Sequence, residues 1–150
     1  MYPIEACIQP GDGQWVEYLA YDRAYLHSVL CATRGFYDFA LGGVFGEKAI
    51  HHLNKTLHTL GQNLAGGELA TSDSTISTVL TLAMLSDVMN DNSAAKKHMQ
   101  GLYQLVQLRG GISGLRHNTE LQSKVLRYTP LSPPLKPNPT QPLTILSAPT

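Results

Sequence analysis

An all-α fold, an antiparallel array of about five helices, is what this 150-residue sequence predicts, and three observations predict it. Apolar side chains recur at steps of three and four over long stretches, which gathers them on one helical face. Paired glycines or short runs of Asp, Asn and Ser separate those stretches, as helix stops and starts do. Proline, which has no amide hydrogen to give a helix, is concentrated at one end: Pro130, Pro133, Pro134, Pro137, Pro139, Pro142 and Pro149 are seven of the nine.

The first helix is expected over about 14–32, with Trp15, Leu19, Leu26, Val29 and Leu30 near helical period, Asp12 as its cap and Gly35 as its stop. A stretch with Gly42, Gly43 and Gly46 follows, where each glycine lowers helix propensity by about 1 kcal/mol relative to alanine, and the second helix begins within it. From Glu47 to Leu64 the pattern is clearest, because Ile50, Leu53, Leu57, Leu60 and Leu64 form one stripe while His51, Lys55 and His58 face elsewhere. Gly66 and Gly67 then stop the helix.

Thr71, Ser72 and Asp73 offer short polar side chains to the free amides of a third helix. Ile76, Val79, Leu80, Leu82, Ala83, Met84, Leu85, Val88 and Met89 make it apolar nearly all round, so it should be central and buried. Asn90, Asp91, Asn92 and Ser93 form a tight connection to a fourth helix over about 94–109, with Ala95, Met99, Leu102, Leu105 and Val106 inward, and so short a link implies antiparallel neighbours. Asp87 and Asp91 oppose the dipole of one helix and Lys96 and Lys97 that of the next, so the two pairs are expected to neutralise each other across the hairpin. Gly110 and Gly111 end the fourth helix. Thr119 with Gln122 reads as a capping box for a short fifth helix through Leu121, Val125 and Leu126. The organisation expected is an arm at 1–13, a helical domain at 14–127 and a disordered proline-rich tail at 128–150.

Composition narrows the class. The length supports one core, and a charged fraction of 15%, below the roughly 25% of soluble domains, predicts adhesive surfaces. Net charge is zero, yet residues 1–91 hold 4 basic and 10 acidic side chains and residues 92–150 hold 7 and 1. The basic residues are spread thinly, so this asymmetry reads as complementarity between adjacent helices. Cys7 and Cys31, the two cysteines, support neither a disulfide framework nor a structural zinc site and fit a reducing interior compartment. With no basic-then-apolar leader and no apolar run near the roughly 18 residues of a membrane span, the chain is expected to be neither secreted nor membrane-embedded.

No residue is assigned to catalysis, to a cofactor or to a metal. Glu47 and His51 would share a helical face, but no third ligand can be named, and His51, His52 and His58 read as a solvated face. Gly110 to Gly114, GGISG, lacks the strand and the spacing around Ser113 that a nucleophile elbow needs, and reads as a helix stop and turn. Gly11-Asp12-Gly13 lacks the third glycine of a dinucleotide loop. Cys31, at the end of an apolar face, reads as a small core residue. Pro130-Leu131-Ser132-Pro133 has the PxxP form that docks on aromatic grooves, a form common by chance in proline-rich segments.

The segment ATSDSTISTVLTLAMLSDVMNDNSAAKKHMQGLYQLVQLRGGISGL has a long apolar helix, a short acidic turn and a helix bearing Ala95, His98, Gly101 and Leu102. That helix ends in Leu108-Arg109-Gly110-Gly111, with Leu115 four positions on. In these features the stretch from Asp73 to Arg127 resembles the regulatory, or middle homology, region of fungal zinc-cluster transcription factors, and DRAYLHSVL at 22–30 and EKAIHHLNKTL at 47–57 look like that region's first two helices. The resemblance implies a non-enzymatic, nuclear helical domain that modulates transcription through protein contacts or self-association. Two departures bear on it. The six-cysteine zinc cluster that reads DNA is missing before Trp15, so direct sequence-specific DNA binding does not carry over. Family members also continue with further helices where this chain turns proline-rich, which implies a truncated version. The alternative is a generic helical protein-interaction scaffold, and exposure of Leu53, Leu57 and Leu60 would signal a missing partner.

Overall fold

A computed structural model describes residues 14–129. The expected arm at 1–13 with Asp12 and Cys7, and the expected tail at 128–150 with its PxxP pattern, apart from Tyr128 and Thr129, lie outside the described residues; Tyr128 ends a helix, so the helical part runs one residue further than expected. Within them the chain forms α1 (Gln14–Tyr21), α2 (Arg23–Gly42), α3 (Glu47–Ala65), α4 (Asp73–Val88), α5 (Asn92–Leu108) and α6 (Thr119–Tyr128), with 3₁₀ turns at Gly67–Thr71 and Ile112–Leu115. No strand occurs among the described residues.

The array is two helical pairs, α2 with α3 and α4 with α5, joined where α4 packs on α2, with α6 set against α4. As the composition of its stretch predicts, α4 is the central helix: Ile76, Val79, Leu80, Leu82, Ala83 and Leu85 are buried, each large aliphatic side chain contributing about 1.5–3 kcal/mol of transfer free energy. Leu60, Leu102, Leu105, Leu115, Leu121 and Val125 close around it. Four hydroxyl residues of α4, Ser74, Thr75, Thr78 and Ser86, are buried as well. Thr78 and Ser86 donate to the carbonyls of Ser74 and Leu82 one turn back, at 2.8 and 2.9 Å. Their polar atoms are thereby satisfied within the helix, and a Thr-rich helix can sit in a core.

Four sequence expectations need correction. The single first helix is two, broken at Asp22. The Asp22 side chain accepts from the amides of Ala24 and Tyr25 and starts α2, a short polar side chain doing at an interior position what it does at any helix start. The expected stop, Gly35, lies buried inside α2, because the Phe45 ring presses on the space a side chain would occupy there, and α2 ends instead at Gly43, whose φ of 72° is left-handed. The capping role given to Thr119 and Gln122 belongs to Asn118, whose Oδ1 accepts from Leu121 N at 3.0 Å, while Gln122 reaches the Ile112 carbonyl at 2.9 Å. Asp87 and Asp91 form no ion pair with Lys96 or Lys97 among the described residues. Asp91 instead caps α5 at Ala94 N, 3.0 Å away.

The leucine stripe of α3 is only partly core. Leu60 is fully buried and Leu53, Leu57 and Leu64 pack against the core, but Ile50 is 44% exposed. The leucines named as the sign of a missing partner are therefore largely covered. Other large apolar side chains are exposed, among them Tyr37, Phe39, Leu41, Val44 and Met89.

Candidate functional site

The densest polar arrangement lies at the N-terminus of α4. Asp73 stands in its first turn, where the free amides favour a negative charge, and four groups from elsewhere in the chain converge on it. His117 Nε2 lies 2.8 Å from Asp73 Oδ2 and Asn118 Nδ2 donates to the same oxygen at 3.0 Å. The Tyr18 hydroxyl is at 3.5 Å and itself accepts from Asn118 at 2.9 Å. Arg109 Nη2 sits 2.9 Å from Asp73 Oδ1, an ion pair whose N–H is not aligned on that oxygen, and its Nη1 donates to the Thr71 carbonyl at 2.5 Å. Helices α1 and α4 and the connection between α5 and α6 are thus tied at one point.

A second carboxylate extends the network. Asp22 is buried and accepts from Ser74 Oγ at 2.5 Å and Asn63 Nδ2 at 3.2 Å besides its two capping bonds. One side chain therefore holds the start of α2, the end of α3 and the start of α4 together.

The backbone after α5 aims Arg109 at this centre. Gly110 and Gly111 adopt φ of 94° and 77°, a region costly for any residue with a Cβ. At Gly114 a Cβ would overlap the Arg109 carbonyl. The Leu108 to Gly111 signature accordingly has a physical reading: the arginine supplies the charge that meets Asp73, and the glycines let the chain reverse beneath it.

Burial pushes the Asp73 carboxyl up, but hydrogen bonds from Asn118 and His117 and the Arg109 charge outweigh it and hold the group below the usual range. Burial, then the Asp73 charge, pushes the Tyr18 phenol far above its usual range. An acid that stays ionised and a phenol that stays protonated exchange no proton near neutrality. The arrangement fits a structural clamp.

Two clefts among the described residues are the best formed. One, of about 70 Å³, is lined by Gly35, Phe36, Phe39, Phe45, Leu85 and Met89, and the other, of about 160 Å³, by Tyr21, Asp22, Arg23, Thr59, Asn63 and Leu69. Both fall below the roughly 300 Å³ at which small-ligand sites begin. No group of three metal-ligating side chains comes together among the described residues.

The histidines divide. His51 and His58 are exposed, whereas His52, read from sequence as solvated, is half-buried and stacks on His27 of α2 with 3.0 Å between the two Nδ1 atoms. Burial, then the neighbouring His52, Lys55, Arg23 and His51, holds the His27 imidazole below its usual range. Cys31 is the small core residue expected: it is fully buried, and burial pushes its thiol up to about 12. Ser113 lies in the 3₁₀ turn at Ile112–Leu115, the helix stop and turn expected there. Sequence reasoning passed over Asp22, Asn118 and Tyr18. The signals available were the Asp before Arg23 and the Asn one position before the proposed capping Thr119.

A model of the family described as fungal specific transcription factor domain matches residues 11–129, the span in which every helix above lies. No curated protein and no solved structure matches the chain.

Proposed function

Because the chain belongs to the fungal specific transcription factor domain family, we propose that it is a nuclear, non-enzymatic regulatory domain that modulates transcription through protein contacts. The observation that carries this reading is the family match over the whole helical array, including the Arg109-bearing turn clamped onto α4. The Asp73 centre, which ties α1, α4 and the turn after α5 together, supports a structural role for these polar residues.

The test is a reporter assay. The full chain is fused to an unrelated DNA-binding module in yeast cells carrying its operator. We expect reporter output to change at least about threefold against the module alone, and a fluorescently tagged chain to concentrate in the nucleus. Unchanged output with a well-expressed fusion, or exclusion of the tagged chain from the nucleus, would overturn the reading.

A second reading, a generic helical protein-interaction scaffold, draws on one specific observation. Phe39 and Met89, which line the aromatic cleft at the end of α2, are 50% and 39% exposed, and Leu41 and Val44 nearby in the sequence are exposed as well, apolar side chains of the kind that contact sites use.

A further inference from the structure

Among the charged side chains of α2 and α3, Arg23, Lys48 and Lys55 are exposed and have no ion-pair partner among the described residues. Their spacing gathers them. Lys48, His51, His52 and Lys55 stand at i, i+3, i+4 and i+7 on α3, and Arg23, His27, Leu30 and Arg34 at i, i+4, i+7 and i+11 on α2, so each set shares one helical face. The contact of His27 with His52 joins the two faces edge to edge. The acids of these elements do not neutralise the centre. Asp22 is buried in its own network, Asp38 pairs with Arg34 at 2.8 Å, and Glu47, beside Lys48 in the first turn of α3, forms no ion pair with Lys48 or Lys55 among the described residues.

The pair of imidazoles adds hydrogen-bonding capacity. With 3.0 Å between the two Nδ1 atoms, one ring donates and the other accepts, and the accepting ring, when neutral, carries its proton on Nε2. Leu30, 40% exposed, sits in the same α2 stripe as the cations.

We propose that the α2–α3 face built from Arg23, His27, His52 and Lys55, with Lys48 at its end, docks an acidic segment of a partner protein, whose carboxylates meet the cations while an apolar side chain meets Leu30. This rests on the regulatory reading above and names the partner class. Charge complementarity selects the occupant. Nucleic acid fits less well, because three unpaired cations are fewer than the roughly six to ten phosphate contacts of proteins that hold duplexes tightly, and the face offers a leucine where strand binding uses aromatic platforms.

The experiment titrates the full isotope-labelled chain with three probes while amide resonances are followed: a 15-residue peptide of Glu, Asp and Leu, its Gln, Asn and Leu counterpart, and a short DNA duplex. The acidic peptide should shift resonances of α2 and α3 around Arg23, His27, His52 and Lys55, and the neutral peptide should not. Affinity should fall at least about tenfold in an Arg23→Glu/Lys55→Glu chain whose thermal melt is unchanged. If that chain melts early, the Arg23→Gln/Lys55→Gln chain should still show a loss of at least about threefold. Absence of shifts, shifts centred elsewhere, tighter binding of the duplex, or self-association of the free chain through this face would each overturn the proposal. A chain that regulates the reporter but binds no acidic peptide sinks this proposal and leaves the regulatory reading standing; binding without regulation supports the face and removes that reading.

Discussion

Arg109, in the turn after α5, meets Asp73, in the first turn of α4, at 2.9 Å with both side chains mostly shielded from solvent. The contact joins the two most sequence-distinctive stretches of the chain, the polar opening of its central helix and the arginine before the double glycine. His117 and Asn118, just before α6, close over the same carboxylate, so the orientation of α6 depends on it too.

The glycines around Arg109 should not tolerate a methyl group. Gly114→Ala would force a Cβ into the Arg109 carbonyl, and relief requires moving the backbone that aims the guanidinium. We expect a loss of about 2–3 kcal/mol in denaturant unfolding. Gly61→Ala, in the middle of α3 with open space around it, should instead stabilise the chain by about 0.5–1 kcal/mol. Equal effects of the two substitutions would show that the turn after α5 is not held as described.

Stability should fall on mild acidification. Burial holds the His98 imidazole below its usual range, and its Nδ1 is buried with no hydrogen-bond partner. The unfolded chain, whose histidines titrate near 6.5, therefore takes up a proton that the folded chain refuses. Stability is at its full value above about pH 6.5 and declines as pH drops below it. His27, shifted the same way by burial and by its cationic neighbours, adds to the slope. Denaturant melts of a His98→Gln chain should show a shallower decline between about pH 5 and 6.5; an unchanged slope would contradict the assignment. Asp73 acts in a separate window, since its depressed carboxyl gives up its contribution only as pH falls below about 3.9.

Cys31 should be chemically silent while the chain is folded. Its thiol is fully buried and raised to about 12, so almost no thiolate exists at neutral pH. In a Cys7→Ser chain, a thiol-reactive dye should label nothing in native buffer within the time that labels the denatured chain completely. Rapid labelling would mean that the α2 face opens readily.

The helices were legible in the sequence where apolar spacing was regular and stops were paired glycines: α3, α4 and α5 fall close to where Leu60, Leu82 and Leu105 put them. The divided first helix was not, because Asp22 looks like an ordinary surface residue until Ser74 and Asn63 arrive from other parts of the chain. Gly35 misled for a related reason. A glycine needed for the close approach of Phe45 is indistinguishable, in one dimension, from a glycine that ends a helix. The Asp73 centre was half visible: Asp73 was seen as a helix opener and Arg109 as part of a signature, but nothing local says that they meet. The pairing of His27 with His52 is likewise a property of two helices laid side by side and of neither alone.

The account stands most directly on the coupling of Arg109 to Asp73, and a double-mutant cycle measures it. Arg109→Ala, Asp73→Ala and the double substitution are unfolded in denaturant alongside the parent chain. Each single change should cost about 2–3 kcal/mol, because each leaves a largely buried charge without its counter-charge, and the double should cost less than their sum by at least about 1 kcal/mol. Additive losses would mean that the two residues act independently and that the turn after α5 is not clamped to the central helix.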